Sequence, residues 1–440
     1  MSLDAPNIEA RPVTQVEDLL SYFHSGEQPA GTQLVGLEHE KFIYPIGGTT
    51  PVGYEGERGI GALLASFEAH GWAPFRDGAD GPLIAMTRGQ ATLTLEPGGQ
   101  LELSGSPMKT ARESHRENLE HLALLKDLAA AKGLRVVTLG YRPLAKVSDM
   151  PWMPKSRYVA MRQTLSQRGR LAQSMMLMTA TGQVSLDFEN EADCFRKVDA
   201  AVRVMPVLVA LFANSPYAEG HHSGYLSWRS RVWSEVDPSR CGYPKFLFDG
   251  SASYRAYVEW ALDAPLLFLR RGGKYLTPAM TFRQLLREGF ERKPALYDDW
   301  VDHLSTLFPE VRVKKVIEVR SADCVSPSLT GGLTAMMRGL LYDSQATYET
   351  LRLFPARTRD EHMDFHHRAQ QSGLAGTWKG RTYSGWATEL LDIASRGLKR
   401  LDAEDAVLLE PLKALAESGH SLAEELLKKP AAQALDAATL

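Results

Sequence analysis

The chain has 440 residues, of which 44% are hydrophobic and 23% are charged, and its formal net charge is −3. This is the composition of an ordinary globular protein, and the balanced charge gives no general attraction to nucleic acid or membrane surfaces. No apolar run reaches the roughly 20 residues of a membrane helix, and three cysteines do not make a disulfide framework. Met1–Pro6 lacks the basic and apolar regions of a signal peptide. We therefore expect a cytoplasmic protein.

The most informative part of the first predicted strand, residues 33–44, is the run Val35–Phe42. Successive side chains of a strand point to opposite faces, so Glu38 and Glu40 share one face while His39 lies on the other. Two carboxylates about 6.6 Å apart along a strand can hold one or two hard cations such as Mg²⁺. A surface strand with two solvated glutamates fits this run equally well.

A second alternating run, Ala91–Ser104, is interrupted by the turn-forming residues 97–99. Before the turn, Glu96 shares a face with two threonines. After the turn, Glu102 shares a face with Gln100 and a serine. These polar faces repeat the pattern of the first strand, although Pro97 could turn Glu96 away from the others.

Two later runs show the same pattern. Gly182–Phe188 predicts a strand with Gln183 on its polar face. Residues 311–320 predict a single strand with Glu318 and Arg320 on one face. Four separate strands thus combine an apolar face with a face of carboxylates, amides or arginine. A half-exposed sheet fits this pattern, and so does a sheet with one wall facing a metal and phosphate site.

Helices are predicted between and after these strands. Thr110 and Glu113 have the capping-box spacing at the start of a helix over residues 110–132, and Asn190 is a good cap for a helix that ends at Phe212. Another long helix is predicted over residues 333–354. The chain contains no repeat or low-complexity linker. We expect a single catalytic unit over residues 1–440, with a core at about 33–345 and a helical extension at about 355–440.

Basic residues are concentrated in two short stretches. Met153–Tyr158 begins a helix whose basic side chains include Arg157. Residues 227–233 alternate aromatic and basic side chains and include Arg231. Nucleic-acid platforms also combine these residue types, but no wider basic patch accompanies this run. We therefore predict a loop that carries active-site arginines.

Several motifs in this order resemble the glutamate–cysteine ligase family, in its plant and proteobacterial type. They include GLEHEKF at Gly36–Phe42, LEPGGQLELSG at Leu95–Gly105, MPKSRY at Met153–Tyr158, QVSLDF at Gln183–Phe188, SWRSRVW at Ser227–Trp233 and IEVRSAD at Ile317–Asp323. The resemblance implies an α+β fold in which a curved, mainly antiparallel sheet cups the active site and helices pack outside. This is the glutamine-synthetase-like fold of carboxylate–amine ligases.

The resemblance also implies the reaction, which is the ATP- and Mg²⁺-dependent ligation of L-glutamate to the amine of L-cysteine. An acyl phosphate on the γ-carboxylate is the expected intermediate, and the reaction is the first step of glutathione biosynthesis. Two alternatives stay open. The first is the same chemistry with another amine acceptor or thiol pathway, such as that of ergothioneine, and the second is a non-catalytic Mg²⁺–nucleotide scaffold. The expected partners are small molecules only, and the expected assembly is a monomer or a homodimer.

The resemblance assigns site residues one by one. The implied metal ligands are Glu38, Glu40, Glu96, Glu102 and Glu318. Arg320 is the implied catalytic residue, which would contact the transferring phosphoryl group, and Gln183 joins it as a nucleotide-binding residue. Arg157 and Arg231 are the implied substrate-binding arginines.

Overall fold

The computed structural model describes residues 11–440 and contains seventeen strands in that range. The prediction for Met1–Pro6 lies outside the described residues. The strands are β1 (Val35–Pro45), β2 (Ala73–Arg76), β3 (Leu83–Arg88), β4 (Ala91–Leu95), β5 (Leu101–Ser104), β6 (Leu134–Val137), β7 (Thr181–Leu186), β8 (Tyr217–Ala218), β9 (His221–His222), β10 (Cys241–Gly242), β11 (Leu269–Arg271), β12 (Lys274–Leu276), β13 (Phe308–Pro309), β14 (Val311–Val313), β15 (Ile317–Asp323), β16 (Thr377–Trp378) and β17 (Arg381–Thr382).

Nine of these strands form the main sheet, in the order β14-β15-β7-β1-β5-β4-β3-β2, with β6 also paired to β1. Every pair of neighbours in this sheet is antiparallel. The four strand segments that the sequence singles out are therefore brought side by side. This confirms the predicted mixed fold around a mainly antiparallel sheet.

The α-helices of the described residues surround this sheet. They are α1 (Val16–His24), α2 (Ile60–Ala65), α3 (Ala111–Ala131), α4 (Ser156–Leu165), α5 (Ala172–Met178), α6 (Glu191–Leu211), α7 (Trp228–Trp233), α8 (Tyr254–Asp263), α9 (Phe282–Glu288), α10 (Tyr297–Ser305), α11 (Pro327–Leu341), α12 (Ser344–Leu353), α13 (Arg359–Ser372), α14 (Tyr383–Leu401), α15 (Glu410–Ser418), α16 (Leu422–Leu427) and α17 (Ala431–Ala437). No helix in residues 11–440 combines the length and the apolar character that a membrane crossing requires.

One face of the sheet is apolar and is covered by helices. Alternate residues of β7 and β15, such as Val184 and Val319, are fully buried together with apolar residues of α6 and α11. Leu101 and Leu103 of β5 belong to a second buried cluster that includes Leu122 of α3. Because side chains alternate along a strand, burying this face leaves the glutamates, Gln183 and Arg320 on the other face.

Local sequence signals explain several element boundaries. The Glu113 amide donates to the Thr110 hydroxyl at 3.1 Å, and the Glu113 carboxylate accepts from the Thr110 amide at 3.0 Å, which confirms the predicted capping box. Asn190 caps α6 as predicted. The turn after Glu96 needs its glycines, because a Cβ on Gly98 would lie 2.3 Å from the Leu177 carbonyl oxygen and Gly99 has a φ of 80°.

Three sequence predictions of local structure are wrong. Residues 311–320 form the hairpin β14–β15 and not one strand, because Lys314–Val316 makes the turn. The predicted helix over 333–354 is two helices, which meet at Tyr342–Asp343, and the Asp343 side chain caps the second. Residues 227–233 are not a loop, because Ser227 caps the short helix α7.

The residues after Pro355 pack on the rest of the chain. Asp405, which is fully buried, accepts hydrogen bonds from the Ala111 amide at 2.8 Å and from the Arg338 guanidinium at 3.0 Å, so it joins this region to α3 and α11. At the chain end, the Leu440 amide donates to the Val136 carbonyl oxygen beside β6 at 3.0 Å. The division into a core and a C-terminal extension within one catalytic unit stays a prediction.

Candidate active site

The strand register places four carboxylates in one cluster. Glu40 of β1 lies directly opposite Glu102 of β5, and Glu38 lies between Ser104 on one side and Gln183 on the other. The turn after β4 does not remove Glu96 from this group. Glu38, Glu40, Glu96 and Glu102 all line one cavity together with Gln183, Arg157 and Arg320.

Hydrogen bonds hold some of these carboxylates in place. The Ser104 hydroxyl lies 3.1 Å from Glu102 and 3.4 Å from Glu38, and it bridges the two strands. The Thr181 amide donates to Glu40 at 3.0 Å. Glu96 has one buried carboxylate oxygen, Oε1, with no hydrogen-bond partner among residues 11–440. The Glu96 and Glu102 side chains share a hydrogen bond, which requires a proton between the two carboxyls, and a cation would take the place of that proton.

Burial and neighbouring like charges disfavour ionisation of two carboxyls of the cluster, Glu40 and Glu96. Burial and then the charge of Glu102 raise the pKa of Glu40 to about 8. Burial also raises the pKa of Glu96 well above its usual range, and Glu102 and Glu40 add to this effect. Without a cation, Glu40 therefore retains its proton at neutral pH. A divalent cation would favour the charged form of these carboxylates.

We expect the metal-free protein to lose stability as pH rises, in part because of Glu40. A carboxyl whose folded pKa lies above its unfolded pKa of 4.5 stabilises the fold below the unfolded value, and this contribution is lost as pH rises through about 8. In urea unfolding with a chelator, the Glu40→Gln variant should lose less stability between these pH values than the natural protein. Glu120→Gln, on the exposed side of α3, is the matched control. Equal pH profiles for the natural protein and Glu40→Gln would contradict the proposed charge crowding.

Positive side chains form the opposite part of the cavity. Arg312, Lys314 and Arg320 line it, and all three surround the carboxylate of Glu318. Lys314 lies 2.8 Å and Arg320 lies 3.6 Å from Glu318. Burial alone would raise the pKa of Glu318, but Arg312 and Lys314 hold it well below its usual range. Glu318 itself does not line the cavity, so the structure places it among cations and apart from the four other carboxylates.

Gln183 is oriented by Arg320. A guanidinium has no acceptor atom, so the Gln183 atom that faces Arg320 Nη1 must be the carbonyl oxygen. The Gln183 carbonyl is therefore engaged, which leaves its NH₂ group as the donor toward a ligand. The amide oxygen has a second lone pair, so the nucleotide-binding role and the metal-ligand role of Gln183 both stay predictions.

The two predicted substrate arginines occupy different surroundings. Arg157 of α4 is 1% exposed, lines the cavity and donates to the Ser305 hydroxyl at 2.8 Å. Arg231 of α7 lies outside the cavity lining and forms an ion pair with Glu235, four residues further along the chain. The structure brings Arg157 to the carboxylates and does not bring Arg231 there.

Sequence reasoning missed Arg229, which is on the inner side of α7. Arg229 is 3% exposed and donates to the backbone carbonyl oxygens of Arg320 at 2.9 Å and Ser321 at 3.2 Å. Its charge acts on Glu40 and lowers the pKa of that carboxyl against the effect of burial. One signal was present in the sequence, because Ser227 is a residue type favoured at the N-cap of a helix. Arg312 and Lys314 were also missed as cavity residues.

Comparison with known proteins identifies the family. The family model described as Glutamate-cysteine ligase family 2 (GCS2) matches residues 34–439. The chain belongs to this family. It is 36% identical to the chloroplastic glutamate–cysteine ligase of Brassica juncea over 96% of its own length and 82% of that protein. The corresponding Arabidopsis thaliana protein is also 36% identical, with 96% of this chain and 80% of that protein covered. The predicted family and its ligase class are confirmed.

Solved structures confirm the fold of this family member. A glutamate–cysteine ligase from Francisella tularensis, solved in complex with AMP, matches with a TM-score of 0.59 at 13% identity and covers 94% of this chain and 88% of that one. A bifunctional glutathione synthetase from Pasteurella multocida matches with a TM-score of 0.51 at 13% identity, over 97% of this chain and 53% of that one. The carboxylate–amine ligase fold predicted from the sequence is thereby confirmed.

Proposed function

We propose that the protein joins L-glutamate to L-cysteine in a reaction that consumes ATP and requires Mg²⁺. One observation carries this proposal. A single cavity, in a chain of the glutamate–cysteine ligase family, is lined by four carboxylates and four cationic side chains. Metal-bound phosphates need carboxylates for the metal and cations for the phosphate oxygens, and this cavity supplies both.

The chemistry explains why ATP is needed. A free carboxylate is a poor acylating agent because its leaving group would be oxide. Transfer of the ATP γ-phosphoryl group to the γ-carboxylate of glutamate gives an acyl phosphate and ADP. The cysteine amine then attacks the acyl carbon, and phosphate leaves. Phosphoryl transfer depends mainly on positioning and on neutralisation of charge, which fixed cations and metal ions provide.

The acidic cluster fits Mg²⁺ by its donor chemistry. Carboxylate oxygens are hard ligands of the kind that Mg²⁺ prefers, and Glu96 Oε1 is a buried acceptor still without a donor among the described residues. In residues 11–440, no three His, Cys, Asp or Glu side chains already have the spacing of a metal site. The proposed holders are Glu38, Glu40, Glu96 and Glu102. When bound, Mg²⁺ would neutralise phosphate charge.

The other cavity residues receive complementary roles in this proposal. Arg320 donates to the transferring phosphoryl group and holds the Gln183 amide toward the nucleotide. Arg312 and Lys314 add positive charge beside it. Arg157 binds a carboxylate of glutamate, because a guanidinium can pair with a carboxylate through two parallel hydrogen bonds. Glu318 keeps the three cations in position, and its role as a metal ligand stays a prediction.

The test is ADP release by the purified protein with Mg²⁺, ATP and L-glutamate, with and without L-cysteine, and with the product identified by mass. We expect cysteine-dependent ADP release and a γ-glutamylcysteine product. Release that requires a different amine would retain the ligase chemistry and change the acceptor. ATP binding without ADP release would overturn the proposal in favour of a nucleotide-binding scaffold.

The two arginines predicted from the sequence should differ in their effects on glutamate. Arg157→Gln removes a charged hydrogen-bond donor from the cavity and should raise the KM for glutamate by roughly tenfold to a hundredfold. Arg231→Gln removes an ion pair outside the cavity and should change that KM by less than about twofold. Steady-state kinetics at saturating ATP and cysteine measure both effects. A larger rise in Arg231→Gln than in Arg157→Gln would reverse this assignment.

Location and assembly stay predictions. We propose a cytoplasmic protein, whereas the curated plant relatives are named as chloroplastic. Cell fractionation with an antibody against the protein tests the location. Light scattering of the purified protein distinguishes the monomer from the homodimer.

A further inference from the structure

A second cavity lies apart from the active site. It is enclosed by α6, by residues 247–252 and by the segment that enters α13, and it shares no lining residue with the active-site cavity. Its apolar part includes Phe195, Val202 and Phe248. Four of its lining side chains are charged or polar and take no part in the proposed ligase chemistry: Asp199, Arg203, Arg357 and His362.

His362 is completely buried, yet its hydrogen-bonding groups are unused. Neither ring nitrogen has a hydrogen-bond partner among residues 11–440. The ring lies edge-on to Tyr243, at 4.4 Å between centroids, and 5.3 Å from the centroid of Phe248. Burial lowers the pKa of His362 well below its usual value, so the imidazole is neutral and has one donor and one acceptor nitrogen. Buried polar groups of this kind normally have partners.

Arg357 brings uncompensated positive charge to the same cavity. Its Nη1 atom is buried and has no hydrogen-bond partner in the described residues. Asp199, which also lines the cavity, is paired with Arg203 at 2.7 Å. Glu361, whose charge acts on Arg357, is paired with Lys379 at 2.7 Å. Burial and then the charge of Arg203 lower the pKa of Arg357 to about 10, so it stays charged at neutral pH. The guanidinium lies 4.9 Å from the Phe365 ring centroid, which fixes its position.

We propose that this cavity binds a small organic carboxylate with an apolar or aromatic body. The Arg357 guanidinium matches a carboxylate in geometry and charge, and His362 supplies a further hydrogen bond. The apolar side chains of α6 and Phe248 would cover the body of the ligand. A pocket that is mainly apolar and has a few polar groups at one end is the usual form of a small-molecule site. A strongly hydrated anion without an apolar body would leave most of this lining without contacts.

Calorimetric titration of the full-length protein without substrates tests the proposal, with 3-phenylpropionate as the probe. We expect saturable binding at millimolar or lower concentration and at least tenfold weaker binding of the neutral analogue 3-phenyl-1-propanol. Arg357→Gln should weaken probe binding about tenfold or more, because it removes the charged donor. Arg352→Gln, at an exposed position of α12, is the matched control and should bind as the natural protein does.

A second variant tests the proposal even if the Arg357→Gln protein does not fold. Ala356 is exposed and lines the cavity, so Ala356→Phe should fill the opening without disturbing the buried core. We expect loss of probe binding with an unchanged melting temperature. Equal affinity for the acid and the alcohol, unchanged affinity in Arg357→Gln and Ala356→Phe, or no probe binding at all would overturn the proposal. Because no substrate is present, these results do not depend on ligase activity.

Discussion

Glu38→Gln should lower kcat by about 100-fold or more, which corresponds to roughly 2.7 kcal/mol of lost transition-state stabilisation. Glu38 is one of the four proposed metal-binding carboxylates, and it lies between Ser104 of β5 and Gln183 of β7. The amide has nearly the same shape and can still accept the hydrogen bond from Ser104. The substitution therefore removes only the negative charge that would bind a metal ion. Cysteine-dependent ADP release over a range of Mg²⁺ concentrations measures the loss.

Two comparisons make this result specific to the cavity. Glu120→Gln makes the same chemical change at an exposed position of α3 and should leave kcat unchanged. In the presence of a chelator, Glu38→Gln should still unfold cooperatively, because the lost repulsion of Glu40 offsets the lost attraction to the cavity cations Arg312, Lys314 and Arg320. Near-normal turnover in Glu38→Gln would refute the assignment of Glu38 as a metal ligand.

Alternation along the strands was enough to predict that the carboxylates of β1 and β5 share one face of the sheet. Glu38 and Glu40 are on one face because they are two residues apart, and pairing with β5 then brings Glu102 opposite Glu40. Periodicity could not predict that β14 and β15 are separate strands. The turn at Lys314–Val316 has no glycine or proline to mark it. The hairpin shapes the site, because it places Arg312 opposite Glu318 and brings two cations, Arg312 and Lys314, into the cavity lining.

The arginine assignments show where sequence patterns are insufficient. In residues 227–233, Arg229 and Arg231 are two positions apart, so an extended strand would place both toward one side. In a helix, two positions correspond to about 200° of rotation. Arg229 therefore points inward and Arg231 pairs with Glu235 on the outer side. The assignment of the substrate arginine thus depends on secondary structure and not on residue type.

Arg320→Gln should be as damaging to turnover as the loss of a metal ligand, at about 100-fold or more in kcat. The arginine lines the cavity and contacts Gln183, so its charge lies beside the proposed nucleotide-binding amide. The fold should tolerate the change. Glu318 keeps Arg312 and Lys314 as partners, so no buried carboxylate is left without a cation. Single-turnover measurement of ADP formation separates the phosphoryl-transfer step from product release.

A conservative variant distinguishes charge from geometry at this position. Arg320→Lys keeps the charge but cannot hold Gln183 and contact phosphate oxygens with a planar fork, so its rate should fall between those of the natural protein and Arg320→Gln. Arg116→Gln, at an exposed position of α3, is the matched control for removal of an arginine. If Arg320→Gln retained phosphoryl transfer and lost only amide formation, Arg320 would serve the attack of the amine. In that case the transferring phosphoryl group would be contacted by Arg312 and Lys314, which also form ion pairs with Glu318.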